Sequence, residues 1–370
     1  MKPWIIGVSL GAALFFVVGL FGYFALTRTS PILTIATWAG PYGHAQASAL
    51  LRPFGDRSGA DLREAITDGG TTDLARAVAS KQYDWDVIDM ELPDAVAACH
   101  QGLLEPIDAS LIPPGANGAP PQRDFAPGAI GPCWIGSVIY SQVIAYDPHR
   151  LTGVAPTSIA DFFDLKKFPG PRALHRASGK LNLELALLAD GVPPTKVYEA
   201  LSTPQGVSRA LAKLDTIRAS LIWWTADDPP WVILTDGRAT FSTMLNGDLF
   251  DAATHNAKLG VVWDHQLYEF EAFGIPKGDP KRALAMDFIR FATQAKSLAA
   301  VADWVPYGPA RRSALPFVGA HPELKFEMSP FLPTSEGRMT TAFAVDDDWW
   351  RLHGADIDVP WQAWLAQGKK

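Results

Sequence analysis

Apolar and polar positions along this chain follow two rhythms. Leu33-Thr34-Ile35-Ala36-Thr37-Trp38 is a short apolar and β-branched run closed by Ala39-Gly40-Pro41-Tyr42-Gly43, the pattern of a buried strand ending in a loop. Further strands are predicted over 85–90, 138–146, 259–264 and 270–275. Helical periodicity predicts helices over 45–54, 72–81, 158–163, 181–190, 206–219 and 280–295, and Gly191 with Pro193-Pro194 stops the fourth of these. Strands alternating with helices predict an α/β body with parallel strands. Ligands of such sheets bind beyond the carboxyl ends of the strands. That rule puts the 38–42 loop and residues 89–91 at a candidate site. Residues 111–132, rich in proline and glycine, read as an irregular surface excursion, and no internal repeat is visible.

One segment has neither rhythm. Residues 4–26 are uninterrupted by charge. Twenty-three residues at ~1.5 Å rise reach ~35 Å, enough for a hydrocarbon core of ~30 Å. A cleaved signal has a shorter apolar core and small residues at its exit. Here the exit is the bulky Gly22-Tyr23-Phe24-Ala25-Leu26, and no cysteine follows for a lipid anchor. The reading is a signal anchor over residues 1–30, with a cleaved signal as the alternative. Either one sends the rest of the chain across the membrane.

Charge and cysteine usage narrow the classes. The net charge is −7, and beyond Lys2 and Arg28 the chain holds 30 basic against 39 acidic groups. An acidic body argues against nucleic-acid binding. Cys99 and Cys133 are the two cysteines. In an oxidising compartment they pair and close a loop of about 35 residues, worth roughly 3–4 kcal/mol; in a reducing one they are buried thiols. Two cysteines cannot build a four-cysteine zinc site. There is no His-Glu-x-x-His, no Gly-x-Ser-x-Gly and no phosphate-binding loop, since Ser178-Gly179-Lys180 lacks the upstream glycine spacing. The reading is therefore a binder, with no cofactor, metal or catalytic group.

A collinear set of short segments carries a family resemblance. It runs from residues 33–42 through Tyr83-Asp84-Trp85-Asp86-Val87, Gly102-Leu103-Leu104-Glu105-Pro106, Ser137-Val138-Ile139-Tyr140 and Phe168-Pro169-Gly170. It continues through Leu234-Thr235-Asp236-Gly237, Asn246-Gly247, Ile275-Pro276-Lys277-Gly278, Tyr307-Gly308-Pro309 and Asp348-Trp349-Trp350. These resemble bacterial substrate-binding proteins of ABC importers of the spermidine/putrescine type. The resemblance implies a type II periplasmic-binding-protein fold. One lobe would hold residues 31–143 plus 268–370 and the other 144–267, closing on a ligand. It implies a periplasmic protein held at the inner membrane, a small cationic solute, and ABC permease subunits as partners. A tethered sensor and an importer-associated binder of another solute are the alternatives.

Polyamine recognition needs aromatic walls and spaced carboxylates. By matched motif, the resemblance points to Trp38, Asp248, Glu271 and Tyr307; by position, Tyr42, Glu91 and Glu269 join them. The family has a tryptophan where this chain has Leu245, which asks for a substitute wall from Trp223, Trp224, Trp231 or Trp263.

Overall fold

The computed structural model describes residues 30–67 and 70–368. The apolar run expected as an anchor lies outside the described residues. Among those described, no helix is long and apolar enough to cross a membrane.

Strand β1 (Ile32–Thr37) pairs in parallel with β2 (Asp61–Ile66) and with β3 (Val87–Glu91). Its apolar side chains Leu33, Ile35 and Ala36 are fully buried. The chain then reaches β4 (Ile135–Tyr146), and later β5 (Arg172–His175), β6 (Leu221–Trp224), β7 (Phe241–Leu245) and β8 (Gly260–Gly274). The sheet order is β2-β1-β3-β8-β4-β7-β5-β6. The long strands β4 and β8 are antiparallel neighbours at its centre. They belong to two hydrophobic cores at once. Ile135, Val138 and Ile139 of β4 and Phe270 and Phe273 of β8 sit in the first core, with β1 and β3. Ile144 and Tyr146 of β4 and Val262 and Leu267 of β8 sit in a second. The two strands thus cross from one packed body to the other.

The sequence pattern predicts separate strands over 259–264 and 270–275, whereas β8 is continuous. The polar run Asp264-His265-Gln266 masked it. These side chains are satisfied within the crossing: Asp264 accepts from the Ile159 N–H (3.1 Å), and Gln266 accepts from Ser141 Oγ (2.8 Å) and donates to the Pro333 carbonyl (2.8 Å). Buried polar groups cost little once paired. The predicted 45–54 helix starts earlier, with α1 (Pro41–Gln46), and runs on through a π-helical turn (Ala47–Leu51) into Arg52–Ser58.

Three further helices position the site. Helix α2 (Leu92–His100) leaves β3, α3 (Asn182–Ala189) follows β5, and α4 (Asn246–Thr254) follows β7. The C-terminal helix α5 (Asp347–Ala366) starts under an Asp346 cap that accepts from the Trp349 N–H at 2.9 Å. Sequence places this segment with 268–370 in the first lobe; its Trp361 and Trp364 are buried in the second core. Trp223, expected as a ligand wall, packs edge-on against both rings at 6.2 and 6.3 Å. It belongs to the core because β6 turns that face toward α5.

Cys99, at the end of α2, is bonded to Cys133, just before β4. The bond ties the helix that leaves β3 to the strand that crosses between the cores. Its loop length sets the expected effect of removal. Cys99→Ser with Cys133→Ser is expected to lower unfolding free energy by roughly 2–4 kcal/mol. Urea titration of the double variant checks this, and an unchanged midpoint would refute it.

Candidate functional site

The carboxyl ends of β1 and β3 open into a cleft of ≈ 970 Å³. After β1 the chain turns at Gly40 (φ 78°), a left-handed conformation, and enters α1. Gly43 lets this turn close: a Cβ there would lie 2.1 Å from the Trp38 carbonyl oxygen. Trp38, Tyr42, Trp304 and Tyr307 form aromatic walls, with Glu91 and Glu271 between them. On the far side stand Gly247, Phe250 and Asp251 of α4.

Strand periodicity explains the acids. Asp89 and Glu91 alternate on β3, and Glu269 and Glu271 alternate on β8, so each pair shares a face. Glu91 lies directly opposite Glu271 in the antiparallel ladder. Facing like charges are destabilising, so this pairing does not serve the sheet. Trp38 Nε1 donates to Glu271 at 3.0 Å. Gln46 Nε2 donates to Asp89 and to the Tyr42 hydroxyl, both at 2.9 Å. Lys180, leading into α3, brings one ammonium to the cluster, but it is held by Glu269 and by Asp347 (2.8 Å).

Burial dominates the electrostatics. It pushes Asp89 up to about 7, although Tyr42, Gln46 and Ser137 donate to it. Glu271 is raised well above the carboxylate range, by burial first and then by Asp89 and Glu91. Glu91 rises through lost solvent and through Glu269. Tyr307 is pushed up to about 12 by burial, with Glu271 and Asp248 adding to it. Asp89 and Glu271 are buried and Glu91 is exposed beside the aromatic walls, and among the described residues none of the three is in an ion pair. Among the described residues, no group of three or more His, Cys, Asp or Glu is arranged to hold a metal ion.

Of the residues singled out from sequence, Trp38, Tyr42, Glu91, Glu271 and Tyr307 meet in this cleft. Asp248 is not among the lining residues. It accepts from the Leu245 N–H (3.1 Å) and caps α4, while Asp251, one turn on, faces the cleft. Leu245 is half-exposed where the family has an aromatic ring. None of the four tryptophans considered replaces that ring: besides Trp223, Trp224 stacks on His175, Trp231 on His255, and Trp263 under Arg338. The added wall is Trp304, which carries the edges of His44 and His321 (4.9 and 5.6 Å). It follows a helix without strand periodicity, so no sequence signal marked it.

A family model described as bacterial extracellular solute-binding protein matches residues 62–327. The chain is also 35% identical over 343 residues to the gamma-aminobutyric acid-binding protein of Pseudomonas aeruginosa, covering 93% of each. This chain belongs to the bacterial extracellular solute-binding protein family. A solved GABA receptor structure is 28% identical, with 90% of this chain and 97% of that one covered and a TM-score of 0.72. An ABC transporter substrate-binding protein from Bradyrhizobium japonicum is likewise 28% identical, with 90% and 99% covered and a TM-score of 0.74. The fold is thus the two-lobed α/β periplasmic-binding-protein fold, and the chain is a small-solute binder of ABC import rather than an enzyme. The relative and the receptor structure carry gamma-aminobutyric acid in their names rather than a polyamine.

The raised acids have a stability consequence. A carboxyl whose folded pKa exceeds its unfolded value binds its proton more tightly when folded. Its contribution is favourable at low pH and is lost as pH rises from the unfolded value, ~4, through the folded one, about 7 for Asp89. Glu271→Gln is therefore expected to raise the thermal midpoint of the ligand-free protein at pH 8 and to do little at pH 5. A destabilised variant at pH 8 would show that the acid is held for structure.

Proposed function

We propose that this protein captures a small solute bearing a primary ammonium group and delivers it to an ABC permease. A C4 amino acid of the 4-aminobutyrate kind is the favoured member of that class. The observation that carries the reading is the Glu91–Glu271 pair, opposed in register beside Asp89, with Lys180 already committed to Glu269 and Asp347. An ammonium between Glu91 and Glu271 would relieve their repulsion and accept hydrogen bonding from neither, donating to both. Trp38, Tyr42 and Tyr307 would face its methylene chain and its charge. The 35% identical relative that carries gamma-aminobutyric acid in its name supports the choice of solute.

The open cleft exceeds what a C4 amino acid fills, so capture requires the lobes to close. The closing bodies would be residues 31–143 with 268–346, and residues 144–267 with α5, hinged on β4 and β8. Export and retention at the inner membrane by the apolar run at residues 4–26 belong to the same reading. A di- or polyamine is the second reading, favoured by the number of carboxylates on one face. An extra ammonium group would be met by Asp251, which lines the cleft.

Removing one charge tests the site. Glu271→Gln is expected to weaken 4-aminobutyrate binding by ~1.5–3 kcal/mol, roughly 10–100-fold, the worth of a charge-assisted bond. Calorimetric titration reads this directly. Unchanged affinity would remove Glu271 from the site, and preference for putrescine over 4-aminobutyrate would install the polyamine reading.

A further inference from the structure

We propose that Arg176 is a specificity-determining residue that takes an anionic end of the solute, so that the closed cleft selects a zwitterion with amine and carboxylate at opposite ends. This rests on the amine reading above and assigns the second half of the ligand.

Strands β5, β6 and β7 are mutually parallel, so their carboxyl ends share one edge of the sheet. The end of β7 delivers α4, whose Gly247, Phe250 and Asp251 already line the cleft. The end of β5, the adjacent strand, therefore faces the same interlobe space. Strand β5 stops at His175, and Arg176 is the next residue.

The turn that carries Arg176 is built rather than loose. Buried Asn182 donates from Nδ2 to the His175 carbonyl (2.8 Å) and the Ser178 carbonyl (2.9 Å). The Lys180 N–H donates to Ser178 Oγ at 3.0 Å. The His175 ring stacks on Trp224, at the end of β6, with centroids 4.2 Å apart and planes at 23°. Lys180 pins the far side of the turn to Glu269 and Asp347.

Within this fixed turn Arg176 is exposed and makes no ion pair among the described residues. On the neighbouring loop after β6, Asp228 is committed to Arg238 at 2.6 Å, and Asp227 is exposed. The second lobe thus presents a guanidinium without an ion pair, while the first presents Glu91 and Glu271, which likewise make no ion pair among the described residues, Glu271 accepting only from Trp38 Nε1. A guanidinium fits a carboxylate by two parallel hydrogen bonds. A zwitterion spanning both walls binds the closed form better than the open one, which is the differential affinity that drives closure.

Calorimetric titration of the full-length chain with 4-aminobutyrate and with putrescine separates the ends of the ligand. Arg176→Met is expected to weaken 4-aminobutyrate about 10–100-fold and to leave putrescine within about 2-fold. Arg176→Lys should recover part of the loss, and the ligand-free thermal midpoint should not move, because Arg176 is exposed and makes no ion pair among the described residues. Glu271→Gln should weaken both ligands, which tests the amine reading independently. Equal loss for both ligands in Arg176→Met, no loss for 4-aminobutyrate, or wild-type protein that binds putrescine as tightly as 4-aminobutyrate would each overturn the assignment. Binding of neither ligand by wild-type protein would remove the amine reading, and this inference with it.

Discussion

Two glutamates facing each other across an antiparallel strand pair govern this structure. Glu91 and Glu271 are in register on the one ladder that joins β3 to the crossing strand β8. The sheet gains nothing from them, and Asp89, fully buried beside them, adds to the cost. Around this defect the polar groups are arranged to tolerate charge without cancelling it. Gln46 and Trp38 donate single hydrogen bonds. The nearest ammonium, Lys180, is drawn off by Glu269 and Asp347. A site short of counter-charge is what the proposed ammonium-bearing solute would complete. Stability is given up where function needs it.

The position of the defect links binding to motion. Strand β8 carries Glu269 and Glu271 and passes from one core to the other within a few residues, Leu267 in the second and Tyr268 in the first. Lys180 reaches the same strand from the turn after β5 and also donates to Asp347 at the start of α5. Charge placed at Glu271 is therefore placed on a strand shared by the two cores. The mutual attraction of ligand and both walls is what would shift the population toward the closed form.

Much of this was legible in the sequence, for reasons that differ by residue. Buried strands such as β1 announce themselves by continuous apolar and β-branched runs. The loop after β1 and the end of β3 follow from the carboxyl-end rule, which brought Trp38, Tyr42 and Glu91 forward. The continuity of β8 was hidden because Asp264-His265-Gln266 break the apolar pattern, and only tertiary partners satisfy them. Asp248 was misassigned because a carboxylate at a helix start serves equally as a cap. Trp223 was misassigned because tryptophan pattern does not say which side of a strand meets α5. Trp304 enters the cleft through a long-range fold of the chain that no local periodicity encodes.

The central claim is that the solute's ammonium engages the Glu91–Glu271 pair. The most direct measurement is the heat of 4-aminobutyrate binding at pH 6.5 in two buffers of different ionisation enthalpy. With Asp89 raised to about 7 and Glu271 raised well above its ordinary range, part of the cluster is protonated there. The account requires the heats to differ between buffers, with net proton release that disappears in Glu271→Gln. Equal heats in both buffers, with binding intact, would mean that the solute does not engage the acid pair, and would contradict the account.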